Sequence, residues 1–123
     1  MAKRNEFVEH VIETMRAFGP VEAKSMFGGW GLYHEGVFFA LIAQDVLYLK
    51  ADAENSPAFE AQRLPSFVYE SKVGERLVMS FRQAPAEALE DPAAMEVWAR
   101  LGYAAALRAA AAKAAGKRKP TQV

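Results

Sequence analysis

The sequence predicts an α+β fold: an N-terminal helix, a five-stranded antiparallel meander sheet and a long C-terminal helix packed on the sheet. Three observations predict it. Apolar residues recur at helical spacing near both ends of the chain; five short apolar runs lie between them; and the punctuation between the first three runs is only two or three residues long. Such short connections fit hairpins and are too short for the crossovers that parallel strands need.

Phe7, Val8, Val11, Ile12, Met15 and Phe18 form the apolar stripe of the first helix, with Glu6, Glu9, Glu13 and Arg16 on the other side. Asn5 is placed to cap it and Gly19-Pro20 to end it. Three apolar runs follow, 24–33, 37–43 and 46–50, separated by His34-Glu35-Gly36 and Gln44-Asp45. The second run has no polar position, which predicts a central strand covered on both faces. Residues 51–65 are polar and contain Pro57 and Pro65; a short helix over 58–63 is expected inside what should be the most mobile segment. Two more strands are expected over 67–70 and 77–82, joined by a polar turn at 71–75. Asp91-Pro92 then opens a helix in which Met95, Trp98, Leu101 and Ala105 make the stripe, and alanines carry it to about residue 115. Alanine favours helix but buries little, so the stretch 104–115 should be helical without firm packing, with Gly116 as C-cap.

At 123 residues the chain fits a single domain, which would bury roughly two-thirds of its unfolded surface. The expected organisation is one domain over 1–115 and a basic flexible tail over 116–123. Fifteen basic residues balance fifteen acidic ones, so no overall field draws the molecule to nucleic acid or an anionic membrane. The distribution is uneven: Arg108, Lys113, Lys117, Arg118 and Lys119 follow one another with no acid between them. The absence of cysteine excludes disulfides, thiol catalysis and thiolate metal sites. The N-terminus lacks the apolar core of a signal peptide, and no run reaches the length of a membrane span, so a cytoplasmic location without membrane contact is expected.

The run Lys24-Ser25-Met26-Phe27-Gly28-Gly29-Trp30-Gly31-Leu32-Tyr33 is the most informative stretch. Its glycines match neither dinucleotide-binding nor P-loop spacing, and a strand rather than a helix follows; they read as a bulge or a close backbone approach. His10 and His34 have no partners at metal spacing, and a pairing of His34 with Ser25 or Asp45 has no nucleophile motif around it. The carboxylates fall on predicted helix faces and loops, where they serve solubility. Phe38, Phe39, Tyr48, Phe67, Tyr69 and Phe81 could stack bases on a sheet, but in so short a chain they are expected in the core. Lys113, Lys117, Arg118 and Lys119 are the candidate nucleic-acid contacts, of the weak and salt-sensitive kind.

Together with Gly36-Val37-Phe38-Phe39-Ala40-Leu41-Ile42-Ala43 and Leu47-Tyr48-Leu49-Lys50, the glycine-aromatic run resembles the stand-alone N-terminal domain of the TfoX/Sxy competence-regulator family. Met26, Phe27, Gly28, Gly29, Gly31, Leu32 and Tyr33 carry the resemblance and are expected to be structural determinants. The resemblance implies a bacterial cytoplasmic protein of α+β fold, without enzyme activity, with a role in regulating genes for DNA uptake. The resulting expectation is a noncatalytic regulatory or protein-interaction domain with no cofactor or metal. An unidentified protein partner or self-association through a sheet edge or the alanine-rich helix would serve it. The alternatives are a weak nucleic-acid binder through the tail and a small-ligand sensor with a pocket between sheet and helix.

Overall fold

The structure, a computed structural model, describes residues 5–26, 28–70, 73–74 and 76–117. The first helix, α1, spans Glu6–Thr14. The Asn5 side chain accepts a hydrogen bond from the Val8 N–H at 2.9 Å, so one orphan donor of the first turn is satisfied by the expected cap. Val8 and Val11 are fully buried, and a 3₁₀ turn, Met15–Ala17, tightens the helix before Gly19-Pro20.

The sheet is antiparallel and α+β as expected, but among the described residues it has six strands rather than five, because the run 24–33 folds back on itself. Strand β1 is Glu22–Met26 and β2 is Gly29–His34, with Met26 opposite Gly29 and Gly28 between the strands at φ +78°. That left-handed backbone favours glycine. β3, Val37–Ala43, and β4, Val46–Lys50, complete a four-stranded meander. The β2–β3 and β3–β4 turns put Glu35-Gly36 and Gln44-Asp45 at positive φ, the twist that two-residue hairpins require.

Beyond β4 the order becomes β4-β6-β5, where β5 is Ser66–Glu70 and β6 is Arg76–Gln83. The chain leaves the sheet at Lys50, docks a short helix α2, Ser56–Ala61, through the fully buried Phe59, and re-enters one strand further out. β6 then fills the gap. The segment 51–65, expected to be mobile, is pinned. Asn55 is buried and donates to the carbonyls of Lys50 and Leu101 at 3.1 and 3.0 Å, while its oxygen accepts from the Asp52 N–H.

Two helices close the chain: α3, Ala86–Glu90, which the sequence pattern did not announce, and α4, Pro92–Lys117. Asp91 accepts from the Ala93 N–H at 3.2 Å, as its position before proline predicts. Gly116, expected as the C-cap, remains helical, and α4 runs on to Lys117.

All four helices pack on one face of the sheet in the main core, and the last turns of α4 run on to Phe38, Lys50 and Phe81 of the other. Leu32, Phe39, Leu47 and Leu49 meet Val8, Val11, Met15, Phe59, Met95 and Trp98 on the first face, in the main core. The opposite face carries a separate, smaller cluster of Leu41, Phe67 and Phe81, bordered by half-buried Phe38, Tyr48, Tyr69 and Met79. β3 serves both faces. A bulge opposite Leu32 and Tyr33 leaves Phe39 without a register partner, so Phe39 and Ala40 both turn to the main core while Phe38 and Leu41 turn away. The wholly apolar run is thus covered by helices on one side and by its own aromatic cluster on the other.

Candidate functional site

Two glycines of the glycine-aromatic motif lie where β2 meets close neighbours. A Cβ at Gly29 would collide with the Ile42 carbonyl oxygen of β3, which explains a glycine there. A Cβ at Gly31 would lie 3.0 Å from Met26 Sδ and 3.1 Å from Phe38 Cε1, so these two side chains close over the gap that Gly31 leaves. Leu32 is fully buried in the main core, and Tyr33 lies 5.3 Å from Phe38 between ring centres. Phe27 lies outside the described residues.

The aromatic series expected in a single core divides between the two faces. Phe39 alone of the six belongs to the main core. Phe38 stacks at 5.3 Å on Phe81, and Tyr48 at 4.9 Å on Phe67, on the face opposite the helical core. Their half-buried neighbours and the turns of β1–β2 and β3–β4 enclose a cavity of about 490 Å³, walled by Met26, Trp30, Leu41, Tyr48, Phe67 and Tyr69. The larger cavity therefore lies on the side of the sheet away from the helices, not between sheet and helix. A smaller trough of about 300 Å³ sits at the other end of the same face. There the last turns of α4 pass Phe38, Lys50 and Phe81, and Ala106, Ala109, Ala110 and Lys113 form the helical wall.

Charge follows the same division. Three arginines on the helical side are neutralised: Arg82 pairs with Glu60 at 2.9 Å, Arg100 with Glu96 at 2.9 Å, and Arg108 donates through Nε and Nη2 to Asp52 at 2.7 and 3.0 Å. The Arg108 guanidinium, with backbone N–H groups of Asn55 and Glu54, holds the Asp52 carboxyl below its ordinary pKa despite partial desolvation. Arg108, the first of the five C-terminal cations, is thus an anchor of α4. The lysines of the other face have no ion pair among the described residues; Lys24 and Lys50 instead lie over rings, 4.7 Å from the centre of Tyr33 and 5.2 Å from that of Phe81. The alternation of β4 held the signal for this, since Tyr48 and Lys50 must share a side that Leu47 and Leu49 do not.

Of the candidate nucleic-acid contacts, Lys113 is exposed and lines the trough, and Lys117 ends α4. Arg118, Lys119 and the rest of the tail lie outside the described residues.

The residues weighed for catalysis are not brought together. His34 donates through Nδ1 to the Pro20 carbonyl at 2.7 Å and packs between Phe18 and Tyr103. Ser25 pairs with Trp30, four residues along β2 from His34, which is roughly 13 Å of strand. Asp45 accepts from the Asn5 side chain at 2.9 Å. His10 contacts the Leu89 carbonyl through Nε2 at 2.7 Å, tying α1 to α3. Among the described residues no three His, Asp or Glu side chains are grouped to hold a metal ion, and no helix is long and apolar enough to cross a membrane.

These features define a class: an α+β domain whose helices cover one sheet face and whose motif glycines lie where β2 meets close neighbours. The particular family follows from the sequence itself. The chain belongs to the TfoX N-terminal domain family, whose model matches residues 13–106. That family is of regulatory type rather than a known enzyme family. The match takes in all six strands and α4 as far as Ala106, the last residue of that helix in the main core. No curated protein sequence matches the chain.

Proposed function

We propose that this protein is a noncatalytic regulatory domain that acts in the bacterial cytoplasm on expression of DNA-uptake genes, by binding a protein partner through the face of its sheet opposite the helical core. The observation that carries the reading is the one-sided layering. A sheet of six strands leaves half-buried Phe38, Tyr48 and Tyr69 and a cavity of about 490 Å³ on the face opposite the helical core. Surfaces of that kind, apolar at the centre and rimmed by charge, mark contacts with other molecules. Family membership supports the regulatory part of the reading.

The test is transcript measurement for DNA-uptake genes in cells lacking the protein and in cells complemented with wild type or with Tyr48→Glu. Tyr48 is half-buried on the open face, so the charge falls on the proposed contact and not in the main core. Wild type should restore the transcript levels, and Tyr48→Glu should not, while circular dichroism and Tm show it folded. Transcripts that do not respond to loss of the protein would overturn the regulatory reading.

A further inference from the structure

We infer that the trough between α4 and the sheet is a docking site for an acidic, apolar segment of the partner protein, an inference that rests on the regulatory reading above and gives the partner a chemistry. The open floor is apolar, made by half-buried Phe38 beside Phe81, which lies under Lys50, and one wall is made by the small side chains Ala109 and Ala110. Alanine at these positions leaves about 300 Å³, room for one or two side chains of a peptide. Lys50 and Lys113 stand on opposite sides, one from β4 and one from α4, and neither has an ion pair among the described residues. An occupant that buries an apolar side chain on the floor and places carboxylates on both sides would complement the trough in shape and charge.

The geometry favours a carboxylate-bearing peptide over a nucleic acid. Bases bind sheet surfaces by stacking on open ring faces. Here the Phe81 ring is 4 % exposed and Lys50 lies over it at 5.2 Å, so a base could reach that ring only by displacing the lysine that would hold its phosphate. A carboxylate needs only the ammonium groups. The contrast with the rest of the molecule sharpens the point, because Arg82, Arg100 and Arg108 already have carboxylates of their own.

The experiment is fluorescence anisotropy of a short labelled peptide alternating Glu with Leu, titrated with the full chain at low and physiological salt. A peptide with Lys in place of Glu and a labelled oligothymidylate serve as competing probes. The Glu-Leu peptide should bind, weaken with salt, and lose affinity about tenfold or more in Lys50→Glu/Lys113→Glu. Ala109→Glu, on the exposed wall of α4, should fill the trough with like charge and give a comparable loss without touching the core. Unchanged affinity in both variants would overturn the inference, as would tighter binding of oligothymidylate or of the Lys-Leu peptide, or no binding of the Glu-Leu peptide. The transcript assay separates the two readings. Transcripts that follow the protein without peptide binding would remove only the trough, and a trough that binds without transcript effects would remove only the regulatory role.

Discussion

The two faces of the sheet are built from the same strands and differ in what they leave unsatisfied. Beneath the helices, Leu32, Phe39, Leu49, Phe59 and Met95 are fully buried, the buried polar side chain of Asn55 has three partners, and Arg82, Arg100 and Arg108 are paired. On the other face Phe38, Tyr48 and Tyr69 are half-buried and Lys24 and Lys50 rest on rings without carboxylates. One face has settled its contacts inside the molecule; the other keeps apolar area and charge available. The difference separates residues that hold the fold from residues that can change without unfolding it.

Phe38 and Phe39 offer the largest test, being neighbours in sequence on opposite faces. Phe39 has no exposed surface and packs on Phe18 and Tyr103 at 5.3 and 5.8 Å, so Phe39→Ala should cost about 3–5 kcal/mol in urea unfolding. Phe38→Ala should cost only ~1–2 kcal/mol, because Phe38 is partly exposed and lies outside the main core. Equal losses would mean that the second face is as much a core as the first.

Next comes Asn55→Ala, which removes the donor to the Lys50 and Leu101 carbonyls and the acceptor of the Asp52 N–H. With those groups left unpaired, the expected loss is about 1–3 kcal/mol. A loss near zero, with α4 unchanged in hydrogen exchange, would show that water replaces the side chain and that the anchor lies elsewhere.

The motif glycines divide in the same way. Gly29→Ala sets a methyl group against the Ile42 carbonyl, backbone that cannot step aside without breaking the β2–β3 pairing, and should cost about 1–3 kcal/mol. At Gly31 the obstacle is the flexible end of Met26, at 3.0 Å, so Gly31→Ala should cost less than ~1 kcal/mol while moving the signals of Met26 and Phe38 in NMR spectra.

How far the sequence carried depended on whether a feature was local. Caps and hairpin turns were readable because Asn5, Asp91, Gly36 and Asp45 act within a few residues of themselves. The motif's glycines predict a close approach, and Gly29 against Ile42 is one, but the run 24–33 also predicts a single strand because nothing in it announces which glycine turns the chain. The exchange of β5 and β6 and the burial of residue 55 depend on contacts across as many as 46 positions, to Leu101, which no window of sequence contains. The same holds for the candidate site. Lys50 and Lys113 approach one trough only after α4 has crossed the sheet.

The smallest expected effect concerns the ion pair that ends that crossing. Asp52 accepts from Arg108 Nε and Nη2 and from the N–H groups of Glu54 and Asn55, and these favour its charged form, so its pKa in the folded protein lies below the ordinary 3.8. A depressed folded pKa means that the unfolded chain takes up the proton first on acidification. The stabilisation is therefore complete above the unfolded value and is lost as pH falls from there through the folded value. Asp52→Asn should lower Tm modestly at neutral pH, since both partners are partly solvated, and the gap from wild type should close in acid below about pH 4. Arg108→Gln should show the same closing gap, and the double variant should add little to either single one. If the gap instead persisted unchanged in acid, the loop around residue 52 would be held by its backbone turn alone. The last turns of α4, which form one wall of the trough, would then depend on the alanine helix and not on the anchor beneath it.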